Sequence, residues 1–146
     1  MSALLRIESY ALPLEMETSE HRQLASLYAA AVRESNDEDS LYEQYDNLHE
    51  TDQVRVARIG NAVVGMAAYD TDHDKVFLGA LAVERSYRGQ GIVGGRMLRY
   101  VIDEASTFGA SALDLSCYER TVPFYQAHQF EVVARGGLLY DMRREL

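Results

Sequence analysis

The sequence of 146 residues is long enough for one ordinary domain and too short for two dinucleotide-binding halves with a substrate domain. Its 14 Lys and Arg against 23 Asp and Glu give a formal net charge of −9, which disfavours binding to nucleic acid or to an anionic membrane. The sequence contains neither a recognisable secretion signal nor an apolar run of the roughly 18 to 20 residues that a membrane span needs. We therefore expect a single soluble, cytoplasmic domain over residues 1–146, and the lone Cys117 agrees with a reducing compartment.

The first third of the chain predicts one strand and two helices. The stretch LLRIESYAL alternates apolar and polar residues as a half-buried strand does, and Pro13 ends it. Thr18 or Ser19 is suited to cap a first helix. The apolar residues on one face of that helix are Leu24, Leu27, Tyr28 and Ala31. Ser40 and Glu43 have the spacing of a capping box, which predicts a second helix.

Three strand signals follow: QVRVARI, AVVGMAAYD and KVFLGALAV. Gly60-Asn61 forms a short turn between the first two, and the polar stretch TDHD connects the second to the third, so an antiparallel meander is predicted. Gly79 lies in the middle of the third strand. A glycine at such a position weakens strand pairing and often marks a β-bulge or the close approach of a ligand.

A helix is predicted to begin near Gly94 and to end at Gly109. Its apolar residues recur every four positions: Val93, Met97, Val101 and Ala105. The stretch SALDLSC after it predicts a strand. A strand, a helix and a strand in this order form a crossover unit, which places residues 76–83 and 112–116 parallel to each other.

The last part of the chain predicts a short helix and two strands. TVPFYQAHQF is the helix, with Pro123 in its first turn, and EVVARGGLLYDMRREL supplies two strands around Gly136-Gly137. Taken together, the elements predict an α/β domain with a mixed, mostly antiparallel sheet.

The glycine-rich stretch AVERSYRGQGIVGGRML contains the spacing G-x-G-x-x-G at Gly89, Gly91 and Gly94. One hypothesis is a dinucleotide site with Asp114 on the ribose. Against it, five residues separate the strand end at Val83 from the first glycine, and the chain has a single crossover unit. The loop is better suited to cradle another phosphate, because glycines allow close approach of the main chain and a helix N-terminus attracts anions.

The loop, together with the order of the elements, resembles the GNAT superfamily of N-acetyltransferases. In that family a loop of the form R/Q-x-x-G-x-G/A holds the pyrophosphate of coenzyme A. Four residues match the first part of this motif: Arg88, Gly89, Gln90 and Gly91. Val93 stands where the family has glycine or alanine, and Gly94-Gly95 follow, as in a loop that is one residue longer.

The resemblance also implies the acyl-CoA N-acyltransferase fold, in which two central parallel strands splay apart. The backbone of the strand before the loop, here at Leu81 and Val83, is expected to hold the acetyl-pantetheine arm, and Gly79 fits the bulge that separates the strands. The coenzyme-binding residues implied by the resemblance are Leu81, Val83, Arg88, Gly89, Gln90, Gly91, Val93 and Gly94.

A second family motif, N-x-x-A-x-x-F-Y-x-x-x-G-F, is matched at Phe124, Tyr125 and Phe130. Tyr118 replaces its asparagine and Gln129 replaces its glycine. By resemblance, Tyr125 is the phenol beside the thioester sulfur and is the expected catalytic acid; the alternative is a tyrosine that packs in the core.

The sequence does not identify a general base. The glutamate that some relatives carry early in the strand before the loop is missing from KVFLGALAV. The polar residues of the preceding turn, Asp70, Asp72, His73 and Asp74, and also Glu84, fit solvated turns better than a catalytic site. Cys117 has no His partner and fits a small buried residue. Direct attack by the amine is therefore expected.

The segment 34–52 carries eight carboxylates and neither Lys nor Arg. It is either a solvated helix face or, as in the superfamily, part of a wall of the acceptor cleft, where it would attract a cationic amine. We therefore expect acetyl-CoA-dependent transfer to a primary amine on a small molecule or a side chain. The alternative is a non-catalytic acyl-CoA-binding sensor or partner-binding module of the same fold. A homodimer is the expected assembly, with no nucleic acid, membrane or metal partner.

Overall fold

The computed structural model describes residues 4–10, 26–27, 53–71, 74–88 and 91–146. In this part of the chain, seven strands form one sheet: β1 (Leu5–Tyr10), β2 (Gln53–Ile59), β3 (Ala62–Asp70), β4 (Lys75–Val83), β5 (Ala112–Tyr118), β6 (Glu131–Gly136) and β7 (Leu139–Glu145). The helices are α1 (Ile92–Thr107) and α2 (Val122–Gln126). Within these residues no helix has the length and apolar character to cross a membrane.

The strand order in the sheet is β1-β2-β3-β4-β5-β7-β6. The β4–β5 pair is parallel, and the other neighbouring strands are antiparallel. This confirms the predicted mixed, mostly antiparallel sheet with a central parallel pair. Ser26 and Leu27, within the first predicted helix, are helical. The predicted helix after Ser40 and the acidic segment 34–52 lie outside the described residues.

The two faces of the sheet carry separate apolar clusters. One cluster lies between the sheet and α1, where the four predicted helix positions are all buried: Val93, Met97, Val101 and Ala105. The other cluster lies on the opposite face and includes Leu27, Met66 and Ala82. We refer to these as the α1 face and the opposite face. Both faces of the central strands are therefore covered with apolar side chains, as expected for a central sheet.

Helix α1 is bracketed by two glycines with positive φ. Gly91 caps its N-terminus at a φ of 69°, and the Gly91 carbonyl accepts a hydrogen bond from the Gly95 amide at 3.0 Å. Gly109, at a φ of 79°, follows the C-cap Phe108. The helix therefore begins at Ile92, two residues before the predicted start at Gly94, because Gly91 can take the left-handed conformation that ends the loop.

Strand β4 contains the predicted bulge. In the β3–β4 register, Ala68 pairs with Ala80 and Tyr69 pairs with Leu78, so that Gly79 is the extra residue. The bulge reverses the alternation of side chains. Leu78 packs in the α1-face cluster before the bulge, whereas after it the odd-numbered residues Leu81 and Val83 face α1. Ala80 and Ala82 consequently pack on the opposite face.

A buried polar network ties the C-terminal half of α1 to the sheet. The Arg55 guanidinium, in β2, donates to both carboxylate oxygens of Glu104 at 3.1 Å, and the Tyr69 hydroxyl also donates to Glu104. Arg55 is only 7 % exposed. Burial, and after it the hydrogen bond to Glu104, raises the pKa of the Tyr69 phenol. A buried charge that is paired and hydrogen-bonded in this way fixes how α1 sits on β2 and β3.

Candidate active site

The parallel strands β4 and β5 separate immediately after Leu78 and Leu115. These residues are the last of the four register pairs that join the strands, although β4 continues to Val83 and β5 continues to Tyr118. The separation coincides with the bulge at Gly79. A V-shaped gap therefore opens between the C-terminal halves of the two strands, with its apex at Gly79 and Ser116.

The backbone groups of Leu81 and Val83 face this gap. The N–H and C=O of successive strand residues point to alternate edges. The Glu84 amide donates to the Val64 carbonyl in β3 at 2.8 Å, so the even-numbered residues of this part of β4 turn their backbone groups toward β3. The odd-numbered residues therefore turn theirs away from β3, toward the gap. The Val83 carbonyl accepts a hydrogen bond from Arg88, and the other backbone donors and acceptors at this edge are a template for an extended ligand. This is the position at which the sequence predicts the pantetheine arm.

Arg88 lies at the open end of the gap. Its Nε donates to the Val83 carbonyl at 2.7 Å, after the 3-10 turn Arg85–Tyr87. Arg88 also borders a surface cleft of about 370 Å³ together with the helical residues Ser26 and Leu27. The contact places the guanidinium beside the end of β4, where the sequence predicts a phosphate contact. The neighbouring Gly89 and Gln90 lie outside the described residues.

The N-terminus of α1 opens onto the same end of β4. The amides of Ile92, Val93 and Gly94 occupy the first turn, where N–H groups have no acceptor within a helix. Gly91 has no side-chain cap to offer them, and a Cβ placed on Gly91 would have no heavy atom within 4 Å. Such amides, with the positive end of the helix dipole, can bind an anion.

Val93, which departs from the family motif, points its side chain into the core and not into the loop. It is 3 % exposed. Opposite it lies Gly65 in β3, where a Cβ would approach Met97 Sδ to 2.7 Å and Val93 Cγ1 to 3.2 Å. The sequence reasoning missed this role of Gly65. Two signals were available: a glycine inside a predicted strand, and, later in the chain, a valine where the loop motif has glycine or alanine.

Gly94 and Gly95 face α2. A Cβ at Gly94 would lie 3.5 Å from the Phe124 ring, and one at Gly95 would lie 3.5 Å from His128 Nε2. The His128 Nδ1 is 3.0 Å from the Phe124 carbonyl, so this ring nitrogen is the donor. The position that a side chain of Gly94 would occupy is therefore next to protein atoms, and only the Gly94 amide is available to a ligand.

Tyr125 lies in α2 with its ring in the core and is 8 % exposed. Its ring makes edge contacts with Phe124 and Phe130, at centroid distances of 5.0 and 5.7 Å. Burial, and after it the nearby Cys117, raises the pKa of the Tyr125 phenol. No described residue hydrogen-bonds to its hydroxyl, so the O–H remains available as a donor.

Cys117 is buried on the α1 face of β5, 3.6 Å from Met142 Sδ. Burial raises the pKa of its thiol, which favours the unreactive protonated form. The predicted structural role therefore fits its surroundings better than a nucleophilic role.

The candidate bases in the described part of the chain have structural contacts. The Glu84 carboxylate accepts from the Ser86 amide at 2.9 Å and caps the 3-10 turn. Asp74 accepts from the Ser111 hydroxyl at 2.6 Å. Asp114, the residue of the dinucleotide hypothesis, forms a two-bond ion pair with Arg143, at 2.7 and 3.1 Å. Asp72 and His73 lie outside the described residues.

Gln129 explains one departure from the second motif. Its φ of 68° is the only positive value among the non-glycine residues that the structure describes. The position is therefore one that glycine adopts most easily, as the family motif has it, and Gln129 accepts the left-handed conformation at a cost of roughly 1 to 2 kcal/mol. The Phe130 amide still closes this turn on the Tyr125 carbonyl at 3.1 Å.

Comparisons with known proteins agree with this geometry. The sequence model of the acetyltransferase (GNAT) family matches residues 20–130, well over half of the chain. The protein therefore belongs to the GNAT acetyltransferase family. No curated protein sequence matches the chain.

Solved structures with the same fold include three acetyltransferases. A GNAT family acetyltransferase from Elizabethkingia anophelis with acetyl-CoA bound is 16 % identical, covers 97 % of this chain and 98 % of its own, and has a TM-score of 0.74. The PaiA N-acetyltransferase from Thermoplasma acidophilum in complex with coenzyme A is 15 % identical, with 98 % and 99 % covered and a TM-score of 0.80. An acetyltransferase from Bacillus subtilis in complex with CoA is 19 % identical, with 98 % and 99 % covered and a TM-score of 0.73.

Proposed function

We propose that this protein transfers the acetyl group of acetyl-CoA to the nitrogen of a primary amine. The observation that carries the proposal is the gap at Gly79, where β4 presents backbone groups at one edge and the free hydroxyl of Tyr125 lies on the α1 side. Structures of the same fold from Elizabethkingia anophelis and Thermoplasma acidophilum were solved with acetyl-CoA and coenzyme A, which supports acetyl-CoA as the co-substrate.

The residues present fit this co-substrate. The edge groups of Leu81 and Val83 would hold the pantetheine arm as an added strand does. The pyrophosphate would lie at the N-terminus of α1. There, Arg88 supplies a positive charge, and the remaining predicted contacts come from the loop and the first helical turn: Gly89, Gln90, Gly91, Val93 and Gly94.

Bound acetyl-CoA supplies a thioester, whose carbonyl carbon gains the bond to the amine nitrogen as the C–S bond breaks. The departing sulfur takes up the proton of the Tyr125 hydroxyl, and the attacking nitrogen loses one proton to solvent, from which Tyr125 is reprotonated. Because burial raises the pKa of Tyr125, the phenol stays protonated across the range in which thiols with a pKa near 8.5 ionise.

The acceptor that we propose is cationic. An alkyl ammonium with a pKa near 10 is about one part in a thousand neutral at pH 7, so capture of the charged form precedes loss of its proton. The net charge of −9 and the eight carboxylates of residues 34–52 would attract such a molecule. Because exposed charges are screened beyond about 8 Å at physiological salt, the second-order rate constant is expected to fall as salt rises.

Two measurements test the proposed function. Acetyl-CoA at a hundred times its dissociation constant is expected to stabilise the protein by about 2.7 kcal/mol, seen as a raised melting temperature, whereas NAD is expected to give no shift. Thiol release from acetyl-CoA is then measured with polyamines, aminoglycosides and lysine-containing peptides. Release that depends on the amine supports the enzyme. A melting shift without release from any amine would instead favour the non-catalytic acyl-CoA-binding module.

A further inference from the structure

Ser116 and Asp141 form a polar pair at the apex of the gap, on the face of the sheet opposite α1. They are register partners across β5 and β7, and the Ser116 hydroxyl donates to Asp141 Oδ1 at 2.6 Å. Ser116 is the first β5 residue beyond the last β4–β5 register pair. Both side chains are exposed.

On the β5 side of the gap the exposed side chain, Ser116, lies on the face opposite α1. On the β4 side of that face Ala80 and Ala82 are buried, so the accessible surface there lies along β5 and β7. On the α1 face the gap is lined by side chains that belong to the core, namely Leu81, Val83 and Cys117. Side chains alternate along β5, so Ser116 faces the other way from Cys117. An acceptor that contacts Ser116 and Asp141 therefore approaches the apex from the face opposite α1, whereas Tyr125 belongs to the α1-face cluster.

Asp141 is equipped to bind a cation there. A carboxylate can accept bonds at both oxygens, and Ser116 is the only described residue that donates to Asp141. The nearest cation along β7, Arg143, is already held in its ion pair with Asp114. Glu131 is the register partner of Arg143 on the other side. This face of β5, β6 and β7 therefore presents three carboxylates, those of Asp114, Glu131 and Asp141, around one guanidinium.

Apolar side chains flank the pair on the same face. Phe77 is the register partner of Asp114 and is 47 % exposed, and Leu139 is the register partner of Tyr118 and is 37 % exposed. Exposed apolar surface around one carboxylate complements a molecule that carries an amino group on an alkyl chain.

We propose that Asp141, oriented by Ser116, binds the amino group of the acceptor in this protein. The inference rests on the proposed function and names a residue for its acceptor side. The carboxylate accepts an N–H hydrogen bond from the ammonium on capture and from the neutral amine before attack, so the nitrogen lone pair stays free for the thioester carbon. Asp141 takes up no proton in this scheme; the ammonium loses its proton to solvent.

The test compares Asp141→Asn with Asp103→Asn, which removes the same charge from an exposed position on α1. With spermidine, an aminoglycoside and a lysine-containing peptide as probes, Asp141→Asn is expected to raise the KM of the acetylated probe about tenfold, with kcat within twofold. Asp141→Glu is expected to restore part of the loss. Ser116→Ala is expected to raise KM by a smaller factor, because the carboxylate loses only its orientation.

Calorimetric titration of the same probes into the CoA-bound protein separates the two proposals. Binding that weakens about tenfold in Asp141→Asn, without acetylation of any probe, would support the acceptor site and refute the enzyme. Acetylation with equal KM in Asp141→Asn and Asp103→Asn would overturn the role of Asp141 and leave the enzyme standing. Absence of probe binding to the unsubstituted protein would also overturn it. Unchanged melting temperatures of the variants exclude a folding defect.

Discussion

The two ends of α1 differ in how their polar groups are used. At the C-terminal end, Glu104 is fully engaged by Arg55 and Tyr69, and Gly109 closes the helix by donating to the Ser106 carbonyl at 3.0 Å. At the N-terminal end, Gly91 offers no side-chain cap and the amides of the first turn have no helical acceptor. The satisfied end holds the helix on the sheet, whereas the open end keeps hydrogen-bond donors available for a ligand.

The first test of this contrast removes the side-chain network at the C-terminal end of α1. Glu104→Ala leaves the Arg55 guanidinium buried without its carboxylate partner, and we expect a loss of about 3 to 5 kcal/mol in the free energy of unfolding, measured with urea. Asp103→Ala, at the neighbouring exposed position, is the control and is expected to change it by less than about 0.5 kcal/mol. Equal stabilities of the two variants would refute the role assigned to the network.

The second test substitutes the two glycines that bracket α1. Gly91→Val and Gly109→Val both place a β-branched residue at a positive φ, with no heavy atom within 4 Å of the new Cβ. We expect each to cost roughly 1 to 2 kcal/mol or more of stability, for the same backbone reason. Only Gly91→Val is expected to weaken acetyl-CoA binding, by about a hundredfold or more, measured by calorimetry. Similar losses of affinity in both variants would mean that the open end has no special role.

The third test compares two tyrosine hydroxyls whose rings pack on the α1 face. Tyr125→Phe is expected to lower kcat about a hundredfold, the lower range for a positioned acid, with little change in acetyl-CoA affinity. Tyr69→Phe is the matched control, because it removes a hydroxyl from the satisfied end and is expected to affect stability and not kcat. Wild-type turnover in Tyr125→Phe would assign its ring to packing alone.

The pH dependence of the rate refines the test of Tyr125, and of the four tests it is expected to show the smallest effect. Burial raises the pKa of Tyr125 above its ordinary value near 10, and the phenol must be protonated to donate. The acceptor, in contrast, must lose a proton. The rate is therefore expected to rise with pH up to about 10 without an alkaline decline from Tyr125. A decline in kcat below that pH that disappears in Tyr125→Phe would contradict the direction of the shift.

The local features of the fold could be predicted from the sequence. The meander, the α1 apolar positions and the bulge at Gly79 all follow from patterns within a few residues. The start of α1 could not be fixed, because it depends on whether Gly91 or Gly94 takes the left-handed conformation. Residues that are separated in sequence were missed for a different reason. Arg55 and Glu104 are 49 positions apart, and only the tertiary register of β2 against α1 brings them together.

The same limit applies to the candidate site. Tyr125 and the glycine loop belong to motifs that can be recognised in a single sequence. The partnership of Ser116 with Asp141, 25 positions apart, follows from the insertion of β7 between β5 and β6, which no short pattern records. Gly65 was missed because its importance comes from the Met97 and Val93 side chains that lie above it.

The bulge at Gly79 makes β4 sensitive to changes in length. Deleting a residue after the bulge, such as Ala80, would place Leu81 and Val83 on the face that packs against Met66 and Ala82 on the α1 face. The same deletion would turn the other set of backbone groups toward the gap. Natural variation within this strand is therefore expected as replacement of one side chain by another, while insertions and deletions are confined to the loops before and after it.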